Sequence, residues 1–119
     1  MIESEKISRM VVSALEELKA AHVQVLDVRG LTTITDFMVL ASGSSNRQVR
    51  ALADNVVRRA KARKYPALGV EGEREGEWIL VDLCDVVVHV MLPEVRDFYQ
   101  LEKLWGDGEI MRPVSAERI

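Results

Sequence analysis

Two aspartates three residues apart, Asp82 and Asp85, frame the single cysteine Cys84, and His89 follows shortly after. Paired carboxylates can hold a divalent cation or share general acid and base duty. A thiol near an imidazole can form a nucleophile and its base. A third candidate is Gly43-Ser44-Ser45, where free backbone amides at a helix start could receive a phosphate.

Each candidate has a plainer structural alternative. Aspartate is favoured in hairpin turns because its side chain bonds the backbone locally. Cys84 falls in the tight connection, His89 falls on the strand, and no third group is evident to orient the imidazole. His22 and His89 are the only histidines, too few for a zinc site without acidic help. Ser45-Asn46-Arg47-Gln48 matches a capping box, in which serine and glutamine satisfy orphan amides. The nearest acid after Gly43-Ser44 is Asp54, inside the following helix, so two-metal phosphoryl or nucleotidyl chemistry lacks its strand-borne acid pair. The expectation is therefore a chain with no catalytic, cofactor-binding or metal site. The alternative is a nucleotide-binding or nucleotidyl-transferring enzyme using the Gly43-Ser44 turn.

The acids belong to the stretch Trp78 to Val90, WILVDLCDVVVHV, which reads as two β-branched runs joined in a hairpin. If Asp82 lies opposite Asp85, strand alternation puts Ile79, Val81, Val86, Val88 and Val90 on one face. The other face carries Trp78, Leu80, Asp82, Asp85, Val87, His89 and Met91. The first is pure core. The second mixes an aromatic, carboxylates and an imidazole, which a sealed core tolerates poorly without partners.

The rest of the chain supplies the frame. Apolar residues at three- and four-residue steps predict an amphipathic helix from Glu5 to Ala21. Val23 to Val28 and Phe37 to Ala41 read as strands, the second more continuously apolar and so central. A second helix follows the capping box and closes before Pro66. Its inner stripe is Val49, Leu52, Ala53, Val56, Val57 and Ala60. Its outer face is basic, with Arg47, Arg50, Arg58, Arg59, Lys61, Arg63 and Lys64 against Asp54, which suits a solvated face or a peripheral contact with RNA. Leu68 to Glu71 forms a third strand, the hairpin supplies two more, and Pro93 opens a last helix from Glu94 to Trp105. The order α-β-β-α-β-β-β-α predicts an α/β fold with a mixed five-stranded sheet flanked by helices. Residues 1 to 107 are expected as one domain and residues 108 to 119 as a loose tail.

Composition narrows the class. A chain of 119 residues, 48% hydrophobic and 29% charged, suits one domain with a real core, and a net charge of -3 gives no global attraction to nucleic acid. The N-terminus lacks a signal-peptide or membrane-span pattern, so a cytoplasmic location and no membrane partner are expected.

The last helix is unusual. Val95, Phe98, Tyr99, Leu101, Leu104 and Trp105 sweep roughly 220° of its wheel, about twice the stripe needed to dock on one sheet. Tyr99 and Trp105 join Trp78 as aromatics of the kind enriched in interface hot spots. A homodimer seam on this face is a further alternative.

Three segments, TDFMVLASGSSNRQVRALAD (Thr35 to Asp54), GVEGEREGEWILVDLCDVVVHVM (Gly69 to Met91) and FYQLEKLWGD (Phe98 to Asp107), resemble the ribosomal silencing factor family, RsfS, also called the Iojap or YbeB family. The resemblance implies a nucleotidyltransferase-like fold without the catalytic acids and a non-enzymatic factor. It further implies binding to the large ribosomal subunit through large-subunit ribosomal protein fourteen (uL14), blocked subunit joining and lowered translation when nutrients are scarce. Organellar relatives assist large-subunit assembly. Trp78 and Tyr99 fall on aromatic positions that the resemblance places in the contact surface, and Leu80, Asp82, Asp85, His89 and Met91 extend it. Cys84 departs from the family, which commonly has glycine between the two acids, and so bears on the turn type.

Overall fold

The computed structural model describes residues 3–99. The chain runs α1 (Glu3–Glu17), β1 (Ala21–Asp27), β2 (Phe37–Ser42), α2 (Asn46–Ala62), β3 (Gly69–Glu71), β4 (Trp78–Asp82), β5 (Val86–Met91) and α3 (Pro93–Tyr99). This is the expected order. The five strands form one sheet in the order β1-β2-β5-β4-β3, with β2 and β5 parallel and the other neighbours antiparallel. The crossover through α2 carries the chain from β2 to β3 at the far edge, so the hairpin fills the gap between them. Every residue of β2 and β5 is buried. The expected end of the last helix, with Leu101, Leu104 and Trp105, lies outside the described residues, as do the boundary at Asp107 and the tail.

Strand alternation divides the interior in two. The larger cluster joins α1 and α2 to one sheet face through Ile7, Met10, Leu15, Leu52, Val56, Ile79, Val81, Val86, Val88 and Val90, among others. On the opposite face Val28, Met38, Leu40, Trp78 and Met91 form a smaller cluster, with Leu26 and Val95 packed against it. The face assignment expected for the hairpin is the observed one for the residues within the ladder, whereas Asp85, expected on the Trp78 face, turns its carboxylate to Tyr65, which packs with the α1 and α2 cluster. The hairpin's register is not the expected one: Asp82 lies opposite Val87 and Trp78 opposite Met91, so the ladder is two residues away from an Asp82–Asp85 pairing. A slip of two preserves which side chains share a face, and it drops Asp85 out of the ladder into the turn.

Helix ends account for the boundary differences. The first helix stops four residues earlier than expected because Lys19 turns left-handed at φ 63°, while Ala20 N–H donates to Leu15 O and Lys19 N–H to Glu16 O. This is a Schellman closure with lysine where glycine is usual. The end of α2 repeats it with Lys64 at φ 62°, Tyr65 N–H donating to Ala60 O and Lys64 N–H to Lys61 O. At the start of α2, Ser45 Oγ accepts from Gln48 N–H as expected. Gln48 Oε1, however, reaches back to Ser44, accepting from its amide at 2.6 Å and its hydroxyl at 2.8 Å. The Gln48 amide also donates to Leu18 O and Lys19 O, tying the end of α1 to the start of α2. Gly43 lets these elements close, since a Cβ there would meet Val49 Cγ2 at 2.9 Å.

In the hairpin turn Cys84 adopts φ 71°, a conformation that costs a side chain about 1–2 kcal/mol. The Asp82 carboxylate accepts Cys84 N–H at 2.8 Å and holds the turn. Replacing the exposed Cys84 by glycine removes the strain and adds unfolded-chain entropy of somewhat smaller size. Cys84→Gly is therefore expected to be neutral to stabilising by about 0.5–1 kcal/mol in urea unfolding, whereas Cys84→Val destabilises.

Candidate functional site

The hairpin's second face and α3 make the candidate site. Leu80 and His89 are directly opposed on β4 and β5, and Trp78 is opposite Met91. Trp78 Nε1–H donates to His89 Nδ1 at 2.9 Å, with the rings 5.8 Å apart and tilted by 44°. An indole can only donate, so Nδ1 accepts and carries no proton, which assigns the neutral Nε2–H tautomer to His89. This bond supplies a partner for the imidazole that the alternation pattern places inside.

The burial of these groups differs from the expected open docking face. Trp78 is 3% exposed, Leu80 1%, and His89 and Met91 0%. Sequence alternation identified a common face but could not tell whether another layer covers it. Val95 on α3 is part of that cover. The helix is held across the sheet by Arg96, which donates to His22 O at 2.6 Å, Ser42 Oγ at 3.2 Å and Gln24 Oε1 at 3.3 Å. His22 O is available because β1 bulges there: His22 has φ 49°, and the pairing with β2 shifts between Ala21 and Gln24. On the outer side of α3, Phe98 is 77% exposed. Tyr99 closes the described part of the helix, and its side chain lies outside the described residues.

Asp82 and Asp85 are brought to the turn as structural acids. Asp85 accepts Tyr65 Oη–H at 3.1 Å, and its backbone carbonyl accepts the amides of Asp36 and Phe37. It thereby aligns the start of β2. Burial, reinforced by the Asp85 carboxylate, pushes the Tyr65 phenol up to about 12. Cys84 and His89 do not form a nucleophile and base: Cys84 is exposed in the turn, and His89 is sealed against Trp78. The Gly43-Ser44 turn likewise offers no open phosphate cradle at Ser44, whose amide and hydroxyl are both taken by Gln48. Among the described residues no group of three or more acids, cysteines and histidines is placed to hold a metal.

The basic face of α2 is partly consumed by structure. Arg50 donates to the carbonyls of Glu73, Arg74 and Glu75, clasping the connector before β4, and Gly76 at φ 71° leaves room for its guanidinium. Arg58 pairs with Asp54 at 3.3 Å and Arg59 with Glu17 at 2.9 Å. Sequence periodicity found the charges; which of them are used internally depended on the packing of α1 and the connector.

Comparison with known proteins resolves what this scaffold is. The family model described as "Ribosomal silencing factor during starvation" matches residues 1–118. The chain belongs to the ribosomal silencing factor family. It is similar to the ribosomal silencing factor RsfS of Chromobacterium violaceum, with 48% identity over 98% of this chain and 96% of that one. The Haemophilus influenzae protein of the same name is 44% identical over 77% of this chain and 90% of its own. A crystal structure of a Chromobacterium violaceum protein superposes with a TM-score of 0.86 at 45% identity, covering 97% of this chain and 96% of that one. The family is one of non-enzymatic factors, and the structural roles of Asp82, Asp85 and Ser44 fit that membership.

Two measurements probe the site. Trp78→Phe keeps the apolar ring and removes the indole donor to buried His89, so it should lower unfolding free energy by about 1–3 kcal/mol in urea titration. The raised Tyr65 phenol has the opposite linkage from a salt-bridged acid. Its contribution is complete below the ordinary value of 10 and is lost as pH rises towards about 12. Ultraviolet titration of Asp85→Asn should show this tyrosine ionising at lower pH than in the parent.

Proposed function

We propose that this chain silences ribosomes by binding the large subunit through uL14 and occupying space that the small subunit needs for joining. It does so in the cytoplasm when nutrients are scarce. The observation that carries the reading is the family match across residues 1–118. Among the described residues no helix is long and apolar enough to cross a membrane.

The contact surface in this reading is the hairpin end together with α3. Asp82 and Asp85 lie at its rim, Tyr99 extends it along α3, and Phe98 adds an exposed aromatic. In this reading Trp78 and Met91, against which Val95 of α3 packs, form its floor together with Leu80 and His89, buried beside them on the same sheet face, and Trp78 is bonded to His89. Aromatics on a supported platform lose little conformational freedom on binding, and such residues carry a large share of interface energy. Self-association of the free chain through the same surface competes with docking in this proposal, and light scattering reads it directly.

Sedimentation of ribosomal subunits on sucrose gradients tests the reading. The chain should co-migrate with large subunits, and joined ribosomes should decline as it saturates them. Phe98→Ala or Tyr99→Ala should weaken that association by about 2 kcal/mol with the melting temperature held. Trp78→Ala is unsuited to the purpose because truncating so buried an aromatic costs the fold itself about 3–5 kcal/mol. Full subunit joining at saturating protein, with no co-migration, would refute the proposal.

A further inference from the structure

The outer side of the helix layer carries a cleft of 230 Å³ between α1 and α2, lined by Lys6, Arg9, Met10, Ser13, Arg59 and Arg63. Four of the six lining residues are cationic, in a chain whose net charge is -3. Lys6, Arg9 and Ser13 stand at three- and four-residue steps on α1, and Arg59 lies in the last turn of α2 with Arg63 at its C-cap, so two rows face each other. Arg59 is held in place by Glu17 at 2.9 Å and by Ser13 Oγ at 3.4 Å. Lys6, Arg9 and Arg63 are exposed, and among the described residues none of them forms an ion pair.

Helix electrostatics explain only half of this arrangement. Arg59 and Arg63 sit at the C-terminal end of α2, where cations complement the dipole. Lys6 lies near the N-terminus of α1, where the dipole disfavours a cation, and Arg9 gains nothing from it. Bringing them beside Arg59 and Arg63 adds like-charge repulsion that an anion in the cleft would relieve.

We propose that this cleft binds the phosphate backbone of RNA, as a contact separate from the protein-docking surface. The cleft offers guanidinium and ammonium donors but neither an aromatic ring to stack a base nor an amide to read one, so it recognises charge and not sequence. A mononucleotide would find no grip for its base there. The choice of RNA as the source of phosphate rests on the ribosome-binding proposal, since the ribosomal surface is rich in phosphodiester. The cleft belongs to the helix layer, on the opposite side of the sheet from the cluster under Trp78 and Val95, so the two contacts can be removed independently.

Fluorescence anisotropy of the full chain with a labelled oligouridylate single strand, between about 50 and 200 mM salt, tests the cleft. Saturable binding is expected, with the logarithm of affinity falling linearly against that of salt. Lys6→Ala/Arg9→Ala/Arg63→Ala should weaken it at least about tenfold and flatten the slope by about 2, three phosphate contacts at about 0.7 each. Arg74→Ala, an exposed cation on the connector before β4 and outside the cleft, should leave it unchanged. Circular dichroism of the triple variant confirms that it is folded before the comparison is made. Absence of RNA binding, or an unaltered slope in the folded triple variant, would overturn the inference. Saturable uptake of inorganic phosphate or guanosine diphosphate without RNA binding would also overturn it. Large-subunit sedimentation run in parallel separates the two proposals. Its failure with oligouridylate binding intact removes the docking proposal alone, and the converse result removes the cleft alone.

Discussion

Burial of β5 on both faces is the constraint on which the rest of the molecule depends. Its backbone is paired with β2 on one side and β4 on the other, and its side chains alternate between the two clusters. Val86, Val88 and Val90 belong to the layer under α1 and α2. His89 and Met91 point to the side where Trp78 and Val95 pack. A strand in this position needs close-packed apolar neighbours above and below, because each unfilled methyl volume costs on the order of 1 kcal/mol. The one polar side chain on it, His89, is accommodated by the Trp78 indole donor. The site and the core therefore share the same strand, and a change to one is felt by the other.

The edges of the scaffold rely on short polar devices. Lysines take the left-handed position after both long helices, Cys84 takes it in the hairpin, and His22 takes it at the bulge that exposes a carbonyl to Arg96. Gln48 links the end of α1 to the start of α2, and Arg50 clasps the connector that leads into β4. These contacts involve carbonyls and amides that would otherwise lose their partners at the ends of elements. They also consume groups that a sequence reading offers for chemistry, notably the Ser44 amide and the Asp82 and Asp85 carboxylates.

The legible parts of the fold were those carried by periodicity. Helical spacing from Ile7 to Leu15 and from Val49 to Ala60, and alternation from Ile79 to Val90, identified the elements, their order and their inward faces, because burial acts on each side chain according to its period. The end of α1 differs from the expected one because lysine takes the place of the usual glycine at Lys19. The hairpin register was two residues off because the turn contains Cys84 at a position whose backbone favours glycine, so the usual turn signature was missing. Family membership was legible in three collinear segments, and the comparisons established it over nearly the whole chain.

The sequence by itself determined the partition of Trp78, Leu80, His89 and Met91 from the valine face, since that follows from a two-residue repeat and survives a two-residue slip. It also determined that the acid pair needed for two-metal chemistry is missing from the strand after Gly43-Ser44. Only the tertiary structure decided that the Trp78 face is covered, that its imidazole bonds the indole, and that Lys6 and Arg9 meet Arg59 and Arg63 in one cleft. The physical reason is range. Periodicity reports the environment along one element, whereas cover and charge convergence depend on residues tens of positions apart that only packing brings together.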